Sequence, residues 1–160
     1  MNGDTKAKGD LKSSGDKSYL PLLVEKVQNL PYHCFIGLVI TGYGDGRCSI
    51  RVSISENILN PCGAVHGGII YSLCDVAAYI AVSTILADDQ LAVTSDINAS
   101  LLSAAMQGSL LVEAKVIKVG KRICYLDARV TDAEGNIIAV SRVTKSVIAY
   151  PKMKDLLKKG

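Results

Sequence analysis

The fold of this chain is decided by residues 60–83, which read NPCGAVHGGIIYSLCDVAAYIAVS. Four large apolar residues in this stretch recur at positions i, i+4, i+7 and i+11, the spacing of one stripe along an α-helix. They are Ile69, Leu73, Val76 and Ile80. The pattern predicts a helix from about 65 to 86, and its other faces are also apolar or small. Such a helix has to be covered by protein on most sides, and a sheet wrapped around it would cover it.

Three residues of this helix are poorly suited to packing alone. Gly67 and Gly68 each destabilise a helix by about 1 kcal/mol relative to alanine. Asp75 places a carboxylate between Cys74 and Val76, and burial of an unpaired carboxylate is unfavourable. We therefore expect the start of the helix and Asp75 to serve chemistry.

The length and charge of the chain limit its domain organisation and its partners. The 160 residues suffice for one domain with one hydrophobic core. Residues 1–17 are predicted to be a disordered polar tail, 18–150 the folded domain and 151–160 a basic C-terminal tail. The net charge is only +3, much of it in the two ends, and aromatic residues are few. A nucleic-acid-binding surface is therefore not expected.

Hydropathy and cysteine usage indicate a cytoplasmic protein. No apolar run is long enough to span a membrane, and the N-terminus lacks the apolar block of a secretory signal. The five cysteines are an odd number without a C-x-x-C pair, and most of them stand in apolar segments. They are expected to be free thiols rather than a disulfide framework.

Strand patterns flank the predicted helix on both sides. Before it, residues 37–55 alternate apolar and polar side chains around a Gly-Asp-Gly turn, which predicts a hairpin. After it, four strand-like segments are separated by short connections at Gly108, Gly120 and 133–136. Because tight connections favour antiparallel neighbours, the predicted fold class is α+β, with one long helix against a five- to six-stranded antiparallel sheet.

The segment before the helix contains no serine, threonine or aspartate at the expected cap position, so the first backbone N–H groups are predicted to lack side-chain partners. Together with the positive end of the helix dipole, these groups form a donor site for a developing oxyanion, with Gly67 as the candidate donor. An equally favoured interpretation is that the glycines only allow close packing of the loop against the sheet.

Asp75 and Gly67 are too far apart to act on one carbonyl group within a single chain. Eight residues separate them, which corresponds to about 12 Å along a helix. A base or nucleophile has to come within about 3 Å of its target. If the two cooperate, a second copy has to run its helix in the opposite direction, as in a two-fold homodimer. The alternative for Asp75 is a structural carboxylate hydrogen-bonded to a neighbouring strand.

Two other residues at the helix entry, His66 and Cys62, are candidates for a chemical role. His66 is expected to orient loop backbone groups rather than to ionise. Cys62 stands four residues before His66 and raises the possibility of a Cys–His nucleophile pair, which is disfavoured because Pro61 and Gly63 indicate a loop. A metal site is not expected, since the chain holds only two histidines, His33 and His66, and no metal-ligand spacing.

Taken together, Asn60, the His66-Gly67-Gly68 run, Asp75 and the strand segment 94–98 resemble hotdog-fold acyl-CoA thioesterases of the PaaI-like group. The resemblance covers roughly residues 32–149. It implies a long central helix wrapped by an antiparallel sheet, with two subunits joined edge to edge and, in many relatives, a further pairing into tetramers.

The resemblance also implies roles for individual residues. The N–H of Gly67 would polarise the thioester carbonyl, and Asp75 of the partner subunit would act as nucleophile or general base. Asn60 would hold the attacking water or the carboxylate, and His66 would correspond to the histidine of the family motif. A hydroxyl on the first strand after the helix would assist, and Thr94 fits that place better than Ser95.

Substrate contacts follow from the same resemblance. Gly68 and Ser95 are candidate substrate-binding residues. The phosphates of coenzyme A need cations at the rim of the site, and Lys121 and Arg122 are ranked first. Further candidates are Lys118, beside the same Gly120 turn, and Arg142 and Lys145 on the last predicted strand.

The implied reaction is hydrolysis of a medium-chain or aryl acyl-CoA to the free acid and coenzyme A, without a metal or other cofactor. The main alternative is an acyl-CoA-binding or sensor protein that does not cleave its ligand, and a hotdog hydratase or dehydratase is a further rival. The acyl preference depends on which of a set of apolar residues line the pocket, and dimer and tetramer both stay open. That set is Tyr71, Tyr79, Leu101, Leu102 and Met106.

Overall fold

The computed structural model describes residues 18–150. The predicted tails, 1–17 and 151–160, lie outside the described residues. Residues 18–150 form three α-helices, one short 3-10 helix at Glu56–Ile58 and six β-strands. The helices are α1 (Leu20–Gln28), α2 (Pro31–Phe35) and α3 (Gly67–Ser83). The strands are β1 (Leu38–Gly44), β2 (Arg47–Ser53), β3 (Gln90–Leu101), β4 (Ser109–Val119), β5 (Ile123–Thr131) and β6 (Ile137–Ala149).

All six strands join one antiparallel sheet in the order β1-β2-β4-β5-β6-β3. Helix α3 packs against one face of this sheet and contacts every strand. The core lies between them, because alternate residues of β2, β4, β5 and β6 point towards the helix and are fully buried, among them Ile50, Val112, Leu126 and Val143. The predicted α+β architecture and the first hairpin are confirmed.

The placement of β3 differs from the prediction of tight antiparallel neighbours. β3 does not pair with β4, the next strand in the chain, but with β6 at one edge of the sheet. The connection 102–108 stays beside β6 through Leu102, whose N–H donates to Ile138 at 2.8 Å, and then passes the entry loop of α3, where Ala105 accepts from Val65 at 2.8 Å. Gly108 is therefore the end of a crossing connection and not a hairpin turn.

The buried face of α3 is also wider than the predicted stripe. Leu73 and Ile80 are fully buried as expected, whereas Ile69 and Val76 are only partly buried. The centre of the buried face is displaced to one side of that stripe, where the most buried residues are Ile70, Cys74, Ala77, Ala78 and Ala81. Four of these five side chains are small, which lets the helix pack closely against the sheet.

All five cysteines are free thiols, as predicted. Between residues 18 and 150, no helix has both the length and the hydropathy needed to cross a bilayer.

Candidate active site

Helix α3 starts with a histidine cap. His66 has extended backbone angles, and its Nδ1 accepts a hydrogen bond from the N–H of Gly68 at 3.0 Å. The prediction that the first N–H groups of this helix lack side-chain partners is therefore wrong for the N–H of Gly68. Histidine is not among the preferred N-cap residues, and so the sequence pattern did not reveal it. The expectation that His66 orients backbone groups agrees with this contact.

The N–H of Gly67 differs from that of Gly68. No acceptor in residues 18–150 pairs with it. It is the first N–H of a 17-residue helix, where the aligned peptide dipoles favour negative charge. Gly67 is partly exposed, so a ligand can reach this donor. The structure thus leaves one backbone donor available at the predicted position.

Both glycines also lie close to a neighbouring side chain. A Cβ on Gly68 would lie 3.0 Å from Nδ1 of His66, and a Cβ on Gly67 would lie 3.1 Å from Cδ2 of Leu101. A side chain at Gly68 would press on the cap itself. The packing interpretation of the glycines and the donor interpretation are therefore compatible.

Asn60 shapes the loop that leads into the helix. Its Oδ1 accepts hydrogen bonds from the N–H groups of Cys62 at 2.9 Å and Ala64 at 3.2 Å, and its own N–H donates to the carbonyl of Ala64. Its Nδ2 group has no acceptor among the described residues. Asn60 therefore fixes the loop with one end of its amide and leaves the other end free for a ligand.

The carboxylate of Asp75 is held by two residues from the sheet. Its Oδ1 accepts from Thr94 Oγ1 at 2.7 Å and from Lys145 Nζ at 2.7 Å. Lys145 Nζ also contacts Thr94 Oγ1 at 2.7 Å and the backbone carbonyl of Asp75 at 3.2 Å. No described residue donates to Oδ2 of Asp75, and 37% of this side chain is exposed. One carboxylate oxygen is thus occupied and the other is available.

A β-bulge in β3 separates the two candidate hydroxyls. Thr94 pairs with Lys145 and Asp96 pairs with Thr144, so Ser95 is the extra residue. The Oγ of Ser95 lies 2.6 Å from Oγ of Ser146, away from Asp75. Bulges re-aim side chains next to functional sites. Of the two residues, only Thr94 reaches Asp75.

Lys145 is not the surface cation that the sequence suggested. It is 1% exposed, and its side chain points from β6 towards α3. Burial lowers the pKa of its ammonium group, and the hydrogen bond and charge of Asp75 oppose this effect. The alternation of β6 could have revealed its direction, since it shares a face with Val143 and Ser141. Arg142, on the other face, forms an ion pair with Asp127 at 2.6 Å.

Lys121 and Arg122 lie in the turn between β4 and β5 and are exposed. The carbonyl of Arg122 accepts from the N–H of Val147 at 2.8 Å, and the next residue, Ile123, pairs with Ser146. This turn therefore lies at the end of the sheet that holds Lys145 and Asp75. The contact of Lys121 and Arg122 with the phosphates of coenzyme A stays a prediction.

Within one chain, the backbone donor of Gly67 and the carboxylate of Asp75 lie at different places along helix α3. Gly67 is the first residue of α3 and contacts Leu101 at the end of β3, whereas Asp75 is the ninth residue and contacts Thr94 near its start. Around Gly67 the predicted acyl-contacting residues are exposed at between 37% and 61%, namely Tyr71, Leu101, Leu102 and Met106. Tyr79 is partly buried instead.

Cys62 and His66 do not form the nucleophile pair that the sequence analysis raised and disfavoured. The thiol of Cys62 forms no hydrogen bond with His66 or any other residue from 18 to 150. Cys74 adjoins Asp75 but is fully buried, and burial raises its pKa to about 12. A thiol with such a pKa stays protonated near neutral pH and is a weak nucleophile.

The described part of the chain has no cluster of three or more histidine, cysteine, aspartate or glutamate side chains arranged to hold a metal ion.

A cleft of about 620 Å³ lies on the outer face of the sheet, lined by charged residues such as Arg47, Lys115 and Arg129. Of the predicted site residues it includes only Arg142, a lower-ranked candidate for phosphate contact, so we place the candidate active site at Gly67 and Asp75 on chemical grounds.

Comparisons with known proteins show the family to which the chain belongs. Residues 62–139 match the family model described as thioesterase superfamily. A protein of Halobacterium salinarum named as an esterase is 33% identical over 119 residues, covering 68% of this chain and 78% of the relative. A 1,4-dihydroxy-2-naphthoyl-CoA hydrolase of Listeria monocytogenes is 27% identical over 112 residues, covering 70% of this chain and 91% of the relative.

Among solved structures, a thioesterase of Haemophilus influenzae superposes with a TM-score of 0.74 at 25% identity, covering 78% of this chain and 87% of the other. The fold is the hotdog fold that the sequence resemblance implied. On its motifs, its architecture and these relatives, the chain belongs to the thioesterase superfamily.

Proposed function

We propose that this protein hydrolyses the thioester bond of a medium-chain or aryl acyl-CoA, releasing the free acid and coenzyme A. The observation that carries the proposal is that helix α3 presents both an unpartnered N–H at Gly67 and a carboxylate at Asp75 with one free oxygen. These are the two groups that hydrolysis of a carbonyl compound needs, an oxyanion donor and a base or nucleophile.

In the proposed reaction, the thioester oxygen accepts the hydrogen bond of Gly67. Oδ2 of Asp75 acts on the carbonyl carbon directly or through a water from which it takes a proton. Negative charge develops on the carbonyl oxygen in the tetrahedral intermediate, where the N–H and the helix dipole stabilise it. The bond to sulfur then breaks and coenzyme A leaves as a thiolate, which takes up a proton. On the direct route, water then hydrolyses the anhydride between the acyl group and Asp75, which releases the free acid and restores the carboxylate. In this scheme no metal or other cofactor takes part.

The site is completed by a second copy of the chain. β3 pairs with β6 on one side only, so its other edge offers twelve residues of unpaired backbone. An exposed edge of this length is a template for pairing with another chain. If two β3 strands pair antiparallel with Thr94 opposite Leu101 of the partner subunit, the contacts of these residues bring Asp75 towards the partner subunit's Gly67. The proposed assembly is a two-fold homodimer, alone or within a dimer of dimers.

The exposed apolar residues around Gly67 support the same assembly. Leu101, Leu102 and Met106 are about half exposed in the single chain. A cluster of this kind on a monomer is typical of a binding surface. In the proposed dimer, these residues line the acyl pocket and part of the interface.

The proposed substrate class rests on two features. Lys121 and Arg122 lie at the rim on the Asp75 side and would contact the phosphates of coenzyme A. The Listeria relative is named for an aryl-CoA substrate, which supports an aryl acyl group as one candidate. The small side chains of α3 also accommodate an aliphatic chain.

One observation favours the alternative of an acyl-CoA-binding protein without hydrolysis. Asp75 is paired with the ammonium group of Lys145, so part of its carboxylate is already engaged within the protein. Only its Oδ1 is engaged, however. We therefore favour hydrolysis.

The test measures release of free thiol from benzoyl-CoA and octanoyl-CoA. We expect turnover of at least one probe by the wild-type protein. The variant Asp75→Asn should lose about 100-fold or more in kcat, because a positioned base contributes a factor of this order. Circular dichroism and sedimentation show whether the variant keeps its fold and assembly. Binding of both probes without thiol release would support the alternative, and near-normal kcat in the folded variant would contradict the role of Asp75.

A further inference from the structure

We propose that Lys145 is a positioning residue for the proposed hydrolysis, which holds Oδ1 of Asp75 and the hydroxyl of Thr94 so that Oδ2 of Asp75 becomes the reactive oxygen. This inference rests on the proposed function. According to this inference, Lys145 on β6 determines which of the two carboxylate oxygens of Asp75 acts on the substrate.

The contacts of Lys145 account for all three donors of its ammonium group. They go to Oδ1 of Asp75 at 2.7 Å, Oγ1 of Thr94 at 2.7 Å and the carbonyl of Asp75 at 3.2 Å. Because Thr94 in turn donates to Oδ1 of Asp75, the three residues form a closed ring of hydrogen bonds. Rotation of the carboxylate would break two bonds to Oδ1 at once, so Oδ2 stays directed away from the ring.

Burial separates this role from substrate binding. The side chain of Lys145 is 2% exposed, whereas that of Asp75 is 37% exposed. A substrate can therefore reach Asp75 but not Lys145, and Lys145 acts only through its neighbours. A buried ion pair is in itself weak grounds for a contribution to stability, because desolvation offsets the attraction. A role in orienting Asp75 explains why a lysine stands here among apolar residues.

The groups that face Lys145 leave Asp75 as its anionic partner. From α3, the ring of Tyr79 lies 5.8 Å from Nζ, and from β5, Cys124 is the residue paired with Lys145. β3 contributes Thr94, which does not titrate. Burial raises the pKa of Tyr79 and of Cys124, so both stay neutral at neutral pH. The charge of Lys145 is therefore balanced by Asp75.

The same contacts predict a pH dependence. Burial lowers the pKa of Lys145 below its ordinary value of 10.5. As the pH rises through this lowered pKa, the ammonium becomes an amine, loses a donor and loses its attraction for Asp75. The activity of the wild-type protein should therefore fall on the alkaline side before the pH reaches 10.5.

The experiment compares Lys145→Met with the matched control Lys115→Met, an exposed lysine on the outer face of β4. Turnover of benzoyl-CoA and octanoyl-CoA is followed across pH. We expect Lys145→Met to lose roughly 10- to 100-fold in kcat with KM within about twofold, and to lose the alkaline decline, since misplacement of a reacting group by about 1 Å has effects of this size. Lys115→Met should keep both kcat and the pH profile.

A second pair of variants tests whether Lys145 acts through Asp75. In the Asp75→Asn background, Lys145→Met should cause no further loss of kcat, because residues that act as one unit are not additive. If Lys145→Met does not fold, Lys145→Gln is measured against the same criteria.

The outcomes distinguish this inference from the proposed function. A wild-type protein that releases no thiol from either probe contradicts both. An active wild type with a folded Lys145 variant that keeps its kcat and its alkaline decline overturns the inference alone. A rise in KM at unchanged kcat also overturns it, because that result indicates a substrate contact.

Discussion

The hydroxyl of Thr94 donates a hydrogen bond to Oδ1 of Asp75 at 2.7 Å, and this bond joins the edge strand β3 to the middle of helix α3. The bond exists because the β-bulge at Ser95 leaves Thr94 in register with Lys145, whose side chain points to the same face of the sheet. Thr94 therefore belongs to the proposed machinery as a group that orients the carboxylate.

Replacement of Thr94 by valine should lower kcat by about tenfold. Valine keeps the shape of threonine but leaves Oδ1 with one donor instead of two, and a hydrogen bond to a charged group is worth about 1.5–3 kcal/mol. Kinetics with the best acyl-CoA probe measure the effect. Thr94→Ser should recover most of the activity, and Thr144→Val, on the outer face of β6, serves as the matched control. Full activity of Thr94→Val would contradict this role.

Replacement of Gly67 by proline should remove the oxyanion donor without removing the helix. Proline lacks an N–H and is tolerated at the first position of a helix. The preceding residue, His66, has φ −64° and ψ 132°, which suits a residue before proline. We expect Gly67→Pro to lose about 100- to 1000-fold in kcat, the usual effect of losing one such donor.

The control for this variant is Gly67→Ala, which adds a Cβ near Leu101 but keeps the N–H. Circular dichroism establishes that both variants are folded. If Gly67→Pro and Gly67→Ala lose the same activity, the loss comes from crowding against Leu101, and the N–H of Gly67 is not the donor.

The elements of the fold were predictable because their signals are local. The spacing of apolar residues indicated α3, and period-two alternation with turn residues indicated β1 and β2. The position of β3 was not predictable in the same way. A connection of the length of 102–108 serves equally for a hairpin or for a crossing past the helix entry, and only packing against Val65 and β6 decides between them.

The site was predictable in part. Gly67 and Asp75 stand out as residue types that packing alone does not explain, whereas Thr94 was indicated only by the family resemblance. The structure joins Thr94 to Asp75. The direction of Lys145 was missed because a lysine in a strand is usually solvent-exposed. The cap formed by His66 was missed because imidazole is an uncommon N-cap acceptor. The cap depends on the local backbone geometry of residues 66–68 rather than on residue propensity, whereas the alternation of β6 does indicate the inward direction of Lys145.

Two buried thiols should make the protein less stable at alkaline pH. Burial raises the pKa of Cys48 and of Cys74 from the ordinary value of 9.0 to about 12. A thiol whose pKa is higher in the folded than in the unfolded state stabilises the folded protein. This stabilisation is complete below pH 9.0 and is lost as the pH rises from 9.0 through about 12. One pH unit above 9.0, each thiol should account for a loss of about 1 kcal/mol in the free energy of unfolding.

Urea unfolding as a function of pH measures this loss. In Cys48→Ala/Cys74→Ala the alkaline decline should be shallower, although Tyr19, Tyr79 and Cys124, whose pKa values burial also raises, continue to contribute. Cys34→Ala removes an exposed thiol and should leave the slope unchanged. An unchanged slope in the double variant would mean that the two thiols do not control alkaline stability.

The most direct test of a site shared between two chains is the kcat of a purified heterodimer. One chain carries Gly67→Pro and the other Asp75→Asn, and different affinity tags select the mixed species. Each homodimer should be nearly inactive, whereas the heterodimer has one intact site, formed by Gly67 of the second chain and Asp75 of the first. We predict about half of the wild-type kcat per dimer. A heterodimer as inactive as its parents would show that each site lies within one chain and would contradict the account.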